Sequence, residues 1–366
     1  MNVIRSATFE GMADKAGFPT PGYLALYEEL ARNKVKWMIT GFMFMSNSGR
    51  AMHPGQAGLD SENKVPAFEQ VTNRVHKYGS KIIAQLAHTG RQTKDTGYEI
   101  VGVSSKKSPY FGEHPRILET DEIYEIIEEF ADSAYFAKLA GFDGVQIHGA
   151  HGYLVHQFMQ KKINDRKDEF RAPLLFLEKV VEGIREKCGE FEIWVKVSGG
   201  IDTEEYEESQ FISLIEKLDQ LKVNLIEVSY GTMDYPLNIF RGGIPLKIVF
   251  RHNPVYREKS LLWRIFALPA VRMKIKRFSP LYNMKYAELA KRYTDIPIAV
   301  VGGVRCGEEI CHTEINYISL CRPFICEPDF ILKFDQDKQY QSKCTNCNLC
   351  AIMVDSEKPL KCYGGE

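Results

Sequence analysis

The chain has 366 residues, 44% of them hydrophobic and 26% charged, with a formal net charge of -1. That length and composition allow a large buried core, in one large domain or two smaller ones, and the charge balance gives no global signal for nucleic acid. The opening Met1-Asn2-Val3-Ile4-Arg5-Ser6 lacks the apolar run of a signal peptide and no stretch is apolar for long enough to span a bilayer, so a cytoplasmic protein without a membrane span is expected.

Taken in order, residues 3–8 read as a first strand, followed by a helical pattern over 23–33 that carries Leu24, Leu26, Tyr27, Leu30 and Ala31. Strands two and three fall at 37–45 and 81–88. A helix over 121–140 starts after Thr120, a good N-cap, and gathers Ile123, Ile126, Ile127, Phe130 and Ala131 on one face. Strand four (144–150), a helix (174–188), strand five (192–198), a helix (209–221), strand six (225–230), a helix (283–293), strand seven (297–303) and strand eight (317–323) complete the series. The near-continuous apolar runs suit a parallel sheet covered on both faces. Eight strands alternating with helices predict an α/β fold, a (β/α)8 TIM barrel. An open doubly wound sheet would prefer a glycine fingerprint after the first strand, and Ser6-Ala7-Thr8-Phe9-Glu10-Gly11 is not one.

Two regions break the rhythm. Residues 231–282 form a long connection, within which 251–277 mixes Trp263, Ile265, Phe266 and Leu268 with eight Arg or Lys against Glu258 alone. This reads either as a surface for a membrane or an acidic ligand, or as an amphipathic cap over the barrel mouth with a solvated basic face. After Asp335 the chain has no helical or strand period. The expected organisation is therefore a barrel over 1–335 with a capping insertion at 231–282, then a tail over 336–366.

The carboxyl ends of parallel strands are where ligands bind. Strand four ends in His148, His151 and Tyr153, two imidazoles and a phenol able to hydrogen-bond an oxygen and deliver a proton; aromatic packing is the alternative. Gln85, near the end of strand three, offers donor and acceptor together, which matches an imide edge. Lys196 on strand five needs an anion or polarised group if it points into the barrel, or solvent if it sits at the rim. Gly302 and Gly303 after strand seven, with Arg322 after strand eight, suit a phosphate. Of nine cysteines, Cys188 stands alone and Cys306, Cys311, Cys321 and Cys326 are scattered, whereas Cys344, Cys347, Cys350 and Cys362 crowd the tail. Four thiolates so spaced suit a [4Fe–4S] cluster or tetrahedral zinc; free thiols on a flexible tail are the alternative.

Over nearly its whole length the chain resembles the Old Yellow Enzyme family of FMN-dependent ene reductases. The resemblance runs through Arg5-Ser6-Ala7-Thr8, Gly11-Met12-Ala13-Asp14, Ile39-Thr40-Gly41, Gly49-Arg50, Gln85-Leu86-Ala87-His88-Thr89-Gly90-Arg91, His148-Gly149-Ala150-His151-Gly152-Tyr153, Gly302-Gly303 and Arg322-Pro323-Phe324, in that order. It implies an FMN across the top of the barrel, with Ala7, Thr8 and Gly41 approaching the ring system through backbone. Gln85 would read the pyrimidine edge, Lys196 would stabilise the reduced flavin, and Gly302, Gly303, Cys321 and Arg322 would hold the phosphate. His148 and His151 would grip a substrate carbonyl and Tyr153 would supply a proton. The implied activity is reduction of an activated C=C bond, in an α,β-unsaturated carbonyl or enoyl compound, with electrons from NAD(P)H or a redox partner protein. The tail resembles the cluster-binding segment of the dienoyl-CoA reductase branch. Two readings from other classes stay open: a flavin-free barrel lyase or isomerase on a phosphorylated substrate, and a non-enzymatic electron-transfer or metal-binding protein. A homo-oligomer is also left open.

The chain departs from the family pattern in several places. Met1 falls almost on the first strand, so either the barrel floor is less covered or the start is misassigned. Arg171-Ala172-Pro173 stands where the family has a glycine-rich turn, 306–316 is short for a full helix, and Cys321 replaces a common glycine. The large FAD and nucleotide domains of the dienoyl-CoA branch are not in this chain, so a cluster's electron partner is expected in another polypeptide.

Overall fold

A computed structural model describes residues 3–202, 207–311 and 314–364, without the side chains of 310 and 311. Eight parallel strands close into a barrel: β1 (Val3–Arg5), β2 (Trp37–Phe44), β3 (Lys81–Ala87), β4 (Gly144–Gly149), β5 (Glu192–Ser198), β6 (Leu225–Ser229), β7 (Ile298–Val301) and β8 (Tyr317–Leu320). Each strand pairs with its neighbours in sequence, and β1 pairs with β8 to seal the ring. The (β/α)8 barrel expected from the sequence is therefore the architecture of the chain.

The alternation of side chains along each strand builds two separate interiors. On β5, Val195 and Val197 point outward into the large core shared with the helices, whereas Trp194 joins Ile4, Ile39, Ile83, Leu225 and Ala299 in an apolar plug inside the barrel. One step further along the strands the interior turns polar. Lys196 stands in register with Glu227, and Gln85 with Gln146, so four polar side chains from four strands form a layer above the plug.

The outer ring includes α1 (Pro21–Arg32), α2 (Val65–His76), α3 (Thr120–Leu139), α4 (Leu154–Met159), α5 (Leu175–Cys188) and α6 (Glu208–Gln220). Helix α1 starts on a proline, whose missing N–H is no loss in a first turn. In α3 the cap is not Thr120 as expected. Glu119 and Glu122 form a reciprocal capping box, and the Thr120 hydroxyl donates instead to Asp168, 2.9 Å away. Ile123, Ile126, Ile127 and Phe130 then face the barrel, each worth roughly 1.5–3 kcal/mol of burial. Helix α2 was not anticipated, although Phe68, Val71, Thr72 and Val75 are buried at helical spacing.

The long connection after β6 contains α7 (Pro236–Ile239), α8 (Leu246–His252) and α9 (Leu261–Lys274). Helix α9 has no buried residue, so its apolar side does not cover the barrel mouth as an amphipathic cap would. Helix α10 (Met284–Lys291) returns the chain to β7, and α11 (Gly307–Cys311) is a single turn, in keeping with the short 306–316 stretch. Beyond β8 lie α12 (Arg322–Cys326), α13 (Phe330–Gln336) and α14 (Leu349–Val354). The tail is thus not without regular structure: α14 is too short to announce itself by periodicity, but it buries Ile352 and Val354.

Candidate active site

The end of β4 is shaped by an unusual backbone. His151 has φ 58°, a left-handed conformation uncommon for a residue with a side chain, and Gly152 follows at φ 78°. The turn is held by the His151 N–H donating to Ser198 Oγ (3.1 Å), the Met233 N–H donating to the His151 carbonyl (2.8 Å) and the Gly152 N–H donating to His156 Nδ1 (3.0 Å). Together these turn both imidazoles and the Tyr153 phenol to one side. The His148 ring lies 5.1 Å from that of His151 and 4.5 Å from that of Tyr153, and Phe42 backs Tyr153 at 5.6 Å.

The electrostatics decide what these groups can do. Burial, and then the Lys196 charge, push the His148 imidazole down to about 3. Burial with His148 and Lys196 nearby holds His151 well below its ordinary value. Both are neutral at pH 7. His148 Nδ1 accepts the Ala150 N–H at 3.4 Å, which leaves Nε2 as the protonated nitrogen. His151 Nε2 pairs with Ser229 Oγ at 2.9 Å. Burial, seconded by the Asp355 carboxyl, raises Tyr153 above the ordinary phenol value, so it stays protonated.

Beneath them the polar layer is fully connected. Lys196 Nζ donates to Glu227 Oε2 (2.8 Å) and Ser6 Oγ (3.0 Å), Ser6 Oγ donates to Glu227 Oε1 (2.6 Å), and Gln146 Nε2 donates to Glu227 Oε2 (2.9 Å). Gln85 Nε2 in turn donates to Gln146 Oε1 (2.6 Å). Burial pushes the Glu227 carboxyl up, but the Lys196 ammonium and three donated hydrogen bonds outweigh it and leave its pKa lowered. Lys196 therefore points into the barrel, not to the rim.

Above this floor opens a cavity of about 1410 Å³ including its mouth. Ala7, Thr8, Gln85, His148, His151, Tyr153, Lys196, Gly302, Gly303, Cys321 and Arg322 all line it. Gly41 does not: its N–H donates to Glu10 Oε1 (2.6 Å), and a Cβ there would strike the Glu10 carboxylate and the Thr8 carbonyl behind the wall. Gly302 and Gly303 adopt φ 131° and 82°, and a Cβ on Gly302 would come within 2.7 Å of the Tyr282 ring. Arg322 reaches the cavity, but its Nη1 is engaged by the Arg241 carbonyl (2.9 Å) and Asn348 Oδ1 (2.7 Å).

A flavin fits this donor set. The wall combines apolar faces with an amide, an ammonium below and a guanidinium at one side, and it includes Ser319, whose hydroxyl is buried and has no partner.

Glu227, Gln146 and Ser6 were not among the site residues expected from the sequence, although a carboxylate inside Leu225-Ile226-Glu227-Val228-Ser229 is itself a signal that something must pair with it. Nor were His53 and Asp355, which line the cavity with Nε2 and Oδ1 3.5 Å apart. Burial pushes the Asp355 carboxyl up to about 7 and the His53 imidazole down to about 4.

The tail cysteines are near one another without converging. Among the described residues no three His, Cys, Asp or Glu side chains are grouped closely enough to hold a metal ion. Burial pushes the Cys350 thiol up to about 12, with Cys344 and Cys347 adding to the effect, and Cys326 rises to about 12 by burial and a hydrogen bond with Cys362. Cys350 is the tail cysteine on the cavity wall. Two asparagines of the same motif fasten the tail. Asn348 Nδ2 donates to the carbonyls of Phe240 (2.5 Å) and Gly243 (3.0 Å), and the Gly243 N–H donates to the Asn346 carbonyl (2.8 Å).

Comparison with known proteins matches residues 3–238 to the NADH:flavin oxidoreductase / NADH oxidase family. The chain is 29% identical over 316 residues to an NADH oxidase of Thermoanaerobacter brockii, covering 81% of this chain and 43% of that protein. It is 27% identical over 365 residues to a cinnamate reductase of Clostridium sporogenes, covering 92% of this chain and 51% of that protein. The chain thus spans about half the length of these relatives. The fold is also that of an Old Yellow Enzyme homologue from Zymomonas mobilis, at a TM-score of 0.69 and 22% identity over 94% of this chain and 92% of that one.

Proposed function

The chain belongs to the NADH:flavin oxidoreductase / NADH oxidase family, and from that membership we propose that it is an FMN-dependent oxidoreductase reducing an activated C=C bond, with electrons from NAD(P)H or a partner protein. The observation that carries this reading is the cluster of His148, His151 and Tyr153 over a cavity floored by Gln85 and Lys196. FMN, when bound, supplies the hydride. Gln85 would read the pyrimidine edge, Lys196 would lie under its anionic side, and Gly302, Gly303, Cys321 and Arg322 would hold its phosphate.

The chain's own residues do the rest. Negative charge develops on the carbonyl oxygen of an unsaturated substrate as hydride arrives at the β-carbon. The neutral His148 imidazole, protonated on Nε2, is a donor for that oxygen, and His151 would join it through the ring nitrogen not paired with Ser229. Tyr153 keeps its proton until the α-carbon needs one. Lys196, whose Nζ is engaged by Glu227 and Ser6, is not presented as a free amine, which argues against the lyase reading.

We also propose a division of labour along the chain, with the barrel up to 335, including the insertion at 231–282, forming most of the flavin site, and the tail over 336–366 closing one side of the cavity through Cys350, Val354, Asp355 and Leu360 and holding one metal centre on Cys344, Cys347, Cys350 and Cys362. A [4Fe–4S] cluster is favoured over zinc. The support is the spacing of the four cysteines in the sequence; the thiols must draw together to bind.

Denaturing the purified protein should release FMN and not FAD, and a protein that stays colourless after reconstitution with excess FMN would falsify the flavin assignment. Metal analysis of anaerobic protein should find iron or zinc near one centre per chain. Unchanged metal content after replacing all four cysteines by serine would refute the tail site.

A further inference from the structure

We propose that α9 and its basic flanks form an interfacial anchor that lays the protein on an anionic lipid bilayer. Helix α9 runs for 14 residues with Pro269 inside it, and is capped by Ser260 Oγ accepting the Trp263 N–H at 3.1 Å. Its large apolar side chains are nevertheless the most exposed in the described chain: Leu261 is 70% exposed, Leu262 68%, Phe266 76% and Met273 83%, with Ile265 at 55%. At about 100° per residue these five, with Pro269, fall within an arc of roughly 140°. An ordinary surface helix turns that arc toward the core. Here it is turned outward, while Trp263, Val271 and Ile275 face the body across a small cavity and the Trp263 ring lies 6.1 Å from that of Tyr256.

The charge around the stripe identifies its occupant. Residues 251–277 carry eight Arg or Lys and one acid, Glu258, on a chain whose net charge is -1. Glu258 is spoken for by Lys94 at 2.8 Å. Arg272, Lys274, Lys276 and Arg277 are all exposed around the carboxyl end of the stripe. A two-fold contact between copies would press this basic stretch against itself. An anionic bilayer instead attracts each exposed base and takes up a convex apolar stripe without needing a matching groove. No helix among the described residues is long and apolar enough to cross a membrane, so the contact is one that lies in the plane of the surface.

The anchor is tied to the cavity. Asn238 donates to the Lys274 carbonyl (3.1 Å) and accepts the Lys276 N–H (2.8 Å), and the next two residues, Ile239 and Phe240, line the cavity wall. Docking through α9 therefore holds this wall at a fixed height beside the lipid. The inference stands on the helix alone and does not depend on the flavin reading.

Flotation of the full chain with vesicles of phosphatidylcholine, with or without phosphatidylglycerol, tests it at low and high salt. The protein should float with the anionic vesicles at low salt and much less with the neutral ones. Arg272→Glu should lower the partition coefficient about tenfold or more. The double variant Ile265→Asp/Phe266→Asp should abolish flotation while keeping the parent's circular dichroism and melting temperature. Three outcomes overturn the proposal. The first is no flotation with any vesicle. The second is flotation that the double variant retains. The third is a dimer in sedimentation velocity that the double variant converts to monomer, which would assign the face to a second copy.

Discussion

In the proposed reaction His148 and His151 meet the substrate oxygen as neutral imidazoles, because burial and the Lys196 charge hold both far below their ordinary range. Their protonation state is then constant over neutral pH, and the proton that moves belongs to Tyr153. Tyr153→Phe keeps the ring that packs on His148 and Phe42 and removes only the hydroxyl. Flavin content should survive, and stopped-flow re-oxidation by cyclohexenone should slow by roughly 10²–10⁴-fold, the worth of a positioned general acid. Re-oxidation by a quinone should be almost unaffected, since its protons go to oxygen and water can supply them. Parent-rate re-oxidation by the enone would remove Tyr153 from the mechanism. Glu227 is a different kind of residue. Glu227→Ala strands the Lys196 ammonium in the barrel interior and should cost about 3–5 kcal/mol in denaturant unfolding. Replacing both, as Lys196→Met/Glu227→Leu, should recover most of that stability while still losing flavin. A single variant as stable as the parent would mean that water or a neighbour already screens the pair.

Among the elements, those with long periodic patterns were legible in the sequence. All eight strands and the helices after β1, β3, β4 and β5 and in the connection after β6 follow from near-continuous apolar runs or from stripes such as Ile123, Ile126, Ile127 and Phe130. What the sequence could not announce are contacts made across distance. Gly41 was expected on the cavity wall, but the Glu10 carboxylate takes its N–H from behind. Arg322 was expected to help hold a phosphate, and Asn348 of the tail also reaches it. Asp355 reaches the cavity from α14, some two hundred residues beyond Tyr153, and no local pattern marks it. The docking of α14 rests on Asn348, which sits at φ 60° and bonds Phe240, Gly243 and Arg322 at once. Asn348→Ala should therefore loosen the tail as a unit. Limited proteolysis between residues 340 and 360 should accelerate, and flavin retention should fall with it. Unchanged proteolysis would show that α14 is held by Ile352 and Val354 instead.

Across the whole molecule, five buried or half-buried histidines set the response to acid. His53, His88, His148, His151 and His156 are all lowered by burial, to about 4, about 3, about 3, well below the ordinary value, and about 4. Once unfolded, each takes up a proton near its ordinary value of about 6.5. A lowered folded pKa means that stability is present above about 6.5 and is lost as pH falls toward 3–4. Asp355 and Glu129, both raised to about 7 by burial, work the other way: their neutral forms are favoured in the fold, so they add stability as pH falls from 7 toward their ordinary values. Asp202 is raised by burial as well, and five imidazoles outweigh three carboxyls. The melting temperature should fall on acidification from pH 7 to 5, and Asp355→Asn should steepen that fall by removing an opposing group. A melting temperature flat across this range would mean that the imidazoles are hydrated in solution.

The cavity wall is assembled from both ends of the chain: Ala7 and Thr8 stand beside Cys350, Val354, Asp355 and Leu360. During translation the barrel can close as soon as β8 emerges and pairs with β1, but the wall is not complete until Leu360 has been made, about 40 residues later. At about 5–20 residues per second that interval is roughly 2 to 8 s. For that time a nascent barrel presents its flavin seat without its tail side. A cofactor can enter a newborn molecule by a route that the finished one has covered, and supplying flavin during synthesis should load the protein more completely than adding it afterwards.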